Sequence, residues 1–488
     1  RRGALMLTIS VHHPQIRDFV RIKRDLKRVT GANISVRLSD EFLNAVDKGK
    51  EFQLRFPVDS DSPTVSESID AQDLWNEIIE SAHACAEPGL LFWDTAKQHT
   101  PSDIYSEQGF SSTSTNPCGE IILSPYDSCR LMVINLLSFV SDPFTKHAEF
   151  DYAKLGTVSQ KAQRLMDDMI DLEIEQVEKI LQKIDNDPEP APIKQIEKDL
   201  WINIKEQATA GRRTGLGVTA IGDALAALGI RYGSKKSIET VENFYKCLTT
   251  NAYRSSCQLA KERGAFPVHD HDKEMGHKFL ERIWDEAPDV YDMSKRYGRR
   301  NIALITTAPA GSVSTLTQTT SGIEPAYLLK YTRRKKITES DLDARVDFID
   351  DIGDRWQEYD VYHHGFKKWM EVSGLDDPAQ SPYNNATSND IDWVSKVKMQ
   401  AAAQKWVCHA ISNTTNVPAD TDIETVKKIY MTGWKSGCKG VTVYRDGSRS
   451  GVLVSAAKEN SFKTYEAPER PEELKCHIHH ATIQGEAW

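Results

Sequence analysis

The chain has 488 residues, 39% hydrophobic and 27% charged, with 61 Lys and Arg against 71 Asp and Glu for a net charge of −10. That length suggests about three domains of ~150 residues, or one large barrel with additions, and the ordinary apolar content excludes a mainly disordered chain. The acidic balance argues against a general nucleic-acid binder, and no apolar run approaches the roughly 20 residues that span a bilayer.

Eight Cys are spread irregularly and form no CxxC pair. With no signal-peptide pattern at the start, they point to a reducing cytoplasm. The chain opens on Arg1-Arg2-Gly3-Ala4-Leu5-Met6 and closes on Thr482 to Trp488. Both ends look cut, so the expectation is a fragment of a longer polypeptide.

In chain order, Leu7 to Val11 predicts a strand. Pro14 opens a helical stretch with Ile16, Phe19, Val20 and Ile22 on one side. Asn33 to Leu38 alternates as a strand, and Asp40 is placed to cap the helix carrying Phe42, Leu43 and Val46. Residues 71–86 predict an amphipathic helix, and Gly89 to Trp93 a buried strand. Residues 110–140 predict a loop between strand-like flanks. Residues 150–210 predict long charged helices broken at Asp185 to Pro192. Arg212 to Val218 is expected to turn the chain into another helix. Residues 236–264, 271–287, 340–372 and 390–412 are expected to be helical. Asn301 to Thr306 predicts a buried strand, and Gly440 to Tyr444 another. Strands alternating with helices imply an α/β architecture. Residues 1–454 are expected to form one catalytic portion, with a finger loop at about 111–130 and a helical insertion at about 160–210. Residues 455–488 are expected to be linker and tail.

Asn116, Cys118 and Glu120 lie at i, i+2 and i+4. In an extended loop that spacing puts the three side chains on one face, neighbours ~6–7 Å apart. A carboxylate raises the pKa of a nearby thiol, so this pair suits hydrogen-atom chemistry at sulfur with proton handling at the carboxylate. A turn around a buried Cys fits the same residues. Cys129 follows eleven residues later and lines the same cavity if the loop doubles back; otherwise it is an inert buried thiol. Thr307 to Thr315 follows an apolar strand and is rich in Gly, Ser and Thr. It can cradle a phosphate with backbone N–H groups, or be an ordinary strand-to-helix turn. Cys476, His477, His479 and His480 form an incomplete metal set, so no metal site is expected.

Together these stretches resemble the catalytic subunit of ribonucleotide reductases, of the adenosylcobalamin-dependent (class II) type. The likeness runs through RRGALM, GANISVRLSDEF, GLLFWD, NPCGEIILSPYDSCRLMVINL, RRTGLGV, TAPAGSVS, SGIEP and GCKGVTVYRDGSR, from Arg1, Gly31, Gly89, Asn116, Arg212, Thr307, Ser321 and Gly437. It implies part of a ten-stranded α/β barrel around a finger loop, incomplete at its N-terminal side, and an oxidoreductase that makes deoxyribonucleotides for DNA synthesis. By the resemblance, Cys118 becomes the thiyl radical that takes the 3′-hydrogen. Glu120 is the base at the 3′-hydroxyl, and Asn116 orients the substrate hydroxyls and the carboxylate. Cys129 is one of the redox pair, and Ala310, Gly311, Ser312, Val313 and Ser314 bind the substrate phosphates.

The implied cofactor is adenosylcobalamin. The implied partners are a ribonucleotide, a diphosphate by the resemblance, a thioredoxin-like reductant, the missing N-terminal segment and a second copy in a homodimer, with neither nucleic acid nor membrane. A two-component class I large subunit would carry two adjacent tyrosines where this chain has Val443-Tyr444-Arg445. A nucleotide-binding remnant without activity is the other alternative. The second redox Cys and the C-terminal Cys pair of the family have no counterpart here. Radical chemistry further implies that Cys118 is shielded from water.

Overall fold

The computed structural model describes residues 4–25, 28–128, 130–337, 345–349 and 355–448, with backbone alone for 332–335, 482–483 and 486–487. By contacts the chain divides into Arg1–Gly451 and Val452–Trp488. In the second unit, Thr482–Ile483 pairs antiparallel with Glu486–Ala487.

The first unit is built on two sets of strands. In the first, Leu5–Ser10 runs parallel to Ala32–Leu38, which runs parallel to Gly89–Phe92. Gly440–Arg445 adds antiparallel to Gly89–Phe92, and Thr414–Val417 closes the five-stranded sheet parallel to Gly440–Arg445. In the second, Leu131–Asn135 pairs parallel with Gly215–Thr219. Parallel bridges Leu216 to Ile305 and Thr307 to Ile411 extend it.

Each set has its own apolar core. The first packs Val36, Leu38 and Leu90 against Phe42, Leu74 and Ile78 from helices Asp40–Lys48 and Ala71–Cys85. The second packs Leu216, Val218 and Leu304 against Phe244, Tyr245 and Leu248 of helix Lys235–Arg263. Fully burying one such side chain stabilises the fold by about 1.5–3 kcal/mol. The α/β pattern expected from the sequence is the observed one.

Several local expectations change. The helix expected over 390–412 is confined to Trp393–Gln404, and 301–306 makes an isolated bridge rather than a continuous strand. Ser39, not Asp40, caps the helix: its hydroxyl accepts from Phe42 N at 3.2 Å. Asp40 instead accepts from the Trp434 indole at 2.8 Å. Residues 215–219 are a strand before the short helix Ile221–Ala227. Glycine allows that strand its close neighbours, since a Cβ at Gly217 would lie 2.6 Å from Thr306 O and one at Gly215 2.7 Å from Arg130 O.

The 271–287 stretch splits into His271–Glu274 and Lys278–Glu286 around Gly276, whose φ is +82°. Within 340–372, the described residues hold strands Phe348–Ile349 and Arg355–Tyr362 before helix His364–Ser373. Trp356, Tyr359, Val361 and Tyr362 favour a strand paired with Lys330–Lys336 over a helix.

The 150–210 region forms helices Tyr152–Asn186 and Ala191–Gly211, separated by Asp187 to Pro190. Among the described residues, no helix is long and apolar enough to cross a membrane, and no group of three or more His, Cys, Asp or Glu is placed to hold a metal ion. The tail residues Cys476 to His480 and the 455–475 linker lie outside the described residues.

Candidate active site

The Asn116 segment is a hairpin tip. Strands Ser114–Thr115 and Ile122–Leu123 pair antiparallel. Between them Gly119 N donates to Asn116 O at 2.9 Å and Asn116 N to Ile121 O at 3.1 Å. Gly119 sits at φ +80°, a left-handed conformation that favours glycine. The three side chains therefore do not share one extended face. A tight turn brings Asn116 and Glu120 across from each other, with Cys118 at the tip. Asn116 Oδ1 accepts from Ile121 N at 3.0 Å, and the Asn116 side chain also bonds the Glu120 carboxylate.

Both strand sets grip this tip. From the five-stranded sheet, Asn33 Nδ2 donates to Pro117 O at 2.7 Å, directly before Cys118. Arg37, stacked 5.2 Å from the Trp93 ring, donates to Thr113 O at 3.0 Å, and Thr8 Oγ1 to Ser114 Oγ at 3.2 Å. From the second set, Ala410 N and Thr306 Oγ1 each donate to Glu120 O at 2.8 Å. The cysteine side is thus fixed by one set and the carboxylate side by the other.

Glu120 is 1% exposed, and its Oε2 is buried without a hydrogen-bond partner. Burial raises its pKa above the ordinary carboxylate value, opposed by the Asn116 hydrogen bond. Loss of hydration and the Glu120 charge both push the Cys118 thiol up. The site therefore favours S–H over thiolate, and a carboxylate held ready to take a proton.

Cys118 itself is exposed, against the expectation of shielding. It lines a cleft of about 160 Å³ that is partly open to solvent. Met6, Leu90, Leu91, Ser412 and Asn413 are among the lining residues.

The expected phosphate segment begins four residues after Thr306, within about 14 Å of chain from the Glu120 anchor. Gly311–Thr317 is a short helix with Ala310 as its N-cap. Ala310 N donates to Ser321 Oγ at 2.9 Å and Ser314 N to Ala310 O at 2.5 Å. The amides of Gly311, Ser312 and Val313 open the helix, where first-turn N–H groups have no intrahelical acceptor. These three residues are exposed, while Ala310 and Ser314 are buried.

Cys129 lies outside the described residues. Its neighbours are tightly held. Ser128 Oγ donates to Glu173 Oε1 at 2.9 Å, and Arg130 forms an ion pair with the same Glu173. Arg213 donates to Asp127 Oδ2 at 2.6 Å and to Ile122 O at 3.0 Å.

Asn33, Arg37, Thr306 and Ser321 were not singled out as functional by sequence reasoning. Each lies in or beside a motif the sequence does display, but their roles come from contacts 11 to 186 residues apart.

Comparison with known proteins shows the family of the chain and its fold. The family described as "Ribonucleotide reductase, barrel domain" matches residues 1–444. A vitamin B12-dependent ribonucleoside-diphosphate reductase of Mycobacterium tuberculosis is 31% identical over 94% of this chain and 58% of its own length. One from Thermoplasma acidophilum is 27% identical over 96% of this chain and 54% of its own. The chain thus spans between half and three-fifths of the length of these two relatives. A solved structure, the class Id ribonucleotide reductase alpha subunit of Actinobacillus ureae, aligns with TM-score 0.62 and 18% identity. It covers 91% of this chain and 71% of that one, a likeness of fold.

Proposed function

This chain belongs to the ribonucleotide reductase family through its barrel domain, and from that membership we propose that it carries the reacting part of a cobalamin-dependent reductase. The reaction converts ribonucleoside diphosphates to 2′-deoxyribonucleoside diphosphates. The observation that carries this reading is the finger tip, where Cys118 stands beside a buried Glu120 whose Oε2 has no partner.

Cys118 Sγ takes the 3′-hydrogen atom of the ribose and later returns it. Glu120 accepts the 3′-hydroxyl proton as the 2′-hydroxyl leaves as water. Asn116 keeps the carboxylate oriented while it does so. Two electrons and two protons come from a thiol pair that closes to a disulfide, with Cys129 as one member and the other supplied by the upstream segment. The amides of Gly311, Ser312 and Val313, between Ala310 and Ser314, face the substrate phosphates.

The lining of the cleft at Cys118 offers both polar and apolar contacts to a nucleoside-bearing cofactor. Asn413 lines it with a buried Oδ1 that has no partner. Gly89 and Gly440 keep its wall flat, since a Cβ there would come within 2.9 Å of Ser35 Oγ and 3.0 Å of Leu90 O. Met6, Leu91 and Asn413 would hold adenosylcobalamin, which when bound supplies the homolysable bond that starts the radical chemistry. Val443-Tyr444-Arg445 lacks the tyrosine pair of the two-component class.

The partners follow from the same reading. A thioredoxin-like dithiol restores the redox pair, the assembly is a homodimer, and the setting is the reducing cytoplasm. Among the described residues, Leu5–Ser10 and Leu131–Asn135 each pair on one side only. An upstream segment of the same enzyme completes the barrel along these edges and covers Cys118.

Cys118→Ser tests the assignment in the enzyme joined by that segment. Turnover is expected to vanish while CDP binds with unchanged affinity. Turnover retained in this variant would overturn the role of Cys118.

A further inference from the structure

The residues behind the phosphate segment form a second polar cluster that the reaction does not use. Asp223, on helix Ile221–Ala227, is fully buried. Its Oδ1 accepts from the Tyr383 hydroxyl at 2.7 Å and lies 2.6 Å from His363 Nε2. Its Oδ2 accepts from Thr320 N at 2.7 Å, and Asp223 N donates back to Thr320 Oγ1 at 3.2 Å. Gly365 leaves the room for this cluster, because a Cβ there would stand 2.5 Å from Asp223 Oδ1.

The cluster grips one turn. Thr320 O also accepts from Ala220 N at 3.0 Å and from Thr219 Oγ1 at 3.1 Å, while Gly322 N donates to Thr219 Oγ1 at 3.0 Å. Between Thr320 and Gly322 stands Ser321. Its hydroxyl is the acceptor for Ala310 N, the cap of the phosphate-facing helix. Gly322, at φ +51°, brings the turn against the same segment, with its Cβ direction 3.0 Å from Ala308 O.

We propose that Asp223 is a positioning residue for the nucleotide phosphates. Braced by His363 and Tyr383, it fixes Thr320 and Ser321, and Ser321 fixes Ala310 so that the amides of Gly311, Ser312 and Val313 converge on one anion. Three elements far apart in sequence meet on one carboxylate, and its hydrogen-bonded link to the Ala310 cap runs through the Thr320–Ser321 turn. The inference rests on the phosphate reading of Ala310 to Ser314 and deepens it.

The test uses the enzyme joined by its upstream segment, with CDP and cytidine as probes. Asp223→Asn keeps an acceptor but places an amide among the donors of His363 and Tyr383. Ser321→Ala removes only the acceptor of Ala310 N, so it serves if the first variant fails to fold. Both are expected to weaken CDP binding and raise its KM about tenfold, equivalent to ~1.4 kcal/mol. Cytidine affinity and kcat should stay within about twofold of the parent, since a hydrogen bond remote from the ribose is altered.

Equal weakening of CDP and cytidine, or a fall in kcat at constant KM, would overturn the positioning role. A third variant, Ser312→Pro, removes one of the amides itself. If it too fails to separate CDP from cytidine, the phosphate reading is what has failed. If it separates them and the first two do not, only the inference about Asp223 falls.

Discussion

Burial of the Glu120 carboxylate works against its charged form, and with Oε2 unpartnered the Asn116 hydrogen bond offsets only part of that cost. Its folded pKa is raised above 4.5, so between the two values the native chain binds more protons than the unfolded one. Stability therefore falls as pH rises through that window. Glu120→Gln is expected to raise the urea midpoint at pH 7.5 and to lower turnover at least about 100-fold, the low end for a lost general base. A midpoint unchanged, with turnover retained, would contradict the assignment. Lys439 shows the opposite sign. Fully buried, its ammonium donates to Cys408 O at 2.6 Å and His99 O at 3.0 Å, and desolvation lowers its pKa to about 7. From there toward the unfolded value of 10.5 the unfolded chain holds more protons, so stability contributed at this site rises with pH. Lys439→Met is expected to lose about 1–3 kcal/mol, because two carbonyls lose their donor. Denaturation at pH 7 and pH 9 should show the gap from the parent widening at the higher pH.

At the scale of elements, the finger is a short hairpin that could not hold itself. Two strands of two residues each are marginal alone, so the tip depends on the strands around it. Thr306 is the clearest case, donating to Glu120 O from a fully buried site. Thr306→Val keeps the shape and removes that donor. It is expected to lower kcat about tenfold with KM for CDP near the parent value, and to cost about 1–3 kcal/mol of stability. A raised KM with unchanged kcat would show that Thr306 serves the phosphate segment instead. These contacts also explain what the sequence could carry. Asn116, Cys118 and Glu120 were legible because the proposed reacting groups fall within five adjacent residues, and the strand-like flanks of the loop were visible as apolar runs. The turn at Gly119 was not, since alternation alone cannot tell an extended loop from a tight tip. Gly215 to Thr219, read only as a turn leading into a helix, was not legible as a strand because its strand character comes from pairing on both sides, with Leu131–Asn135 and Ile305. Asn33 and Asp223 acquire their roles only through partners 84 and 97 residues away.

For the whole molecule, two strand sets meet at one hairpin, and among the described residues Leu5–Ser10, Thr414–Val417 and Leu131–Asn135 each have a single strand partner. Exposed apolar side chains lie along one of them, Leu5 at 62% and Leu7 at 43%. Such an edge pairs with whatever strand is offered. Chain expressed with its upstream segment is therefore expected to stay monodisperse where the chain alone aggregates, which light scattering would show. The central claim is cobalamin-dependent reduction at Cys118, and the direct measurement is formation of dCDP from CDP with dithiothreitol as reductant. It is made on the chain alone and with the upstream segment, each with and without adenosylcobalamin. The account requires product only when both the segment and the cobalamin are present. Product from the completed enzyme without cobalamin, or none from folded, nucleotide-binding protein with both, would contradict it.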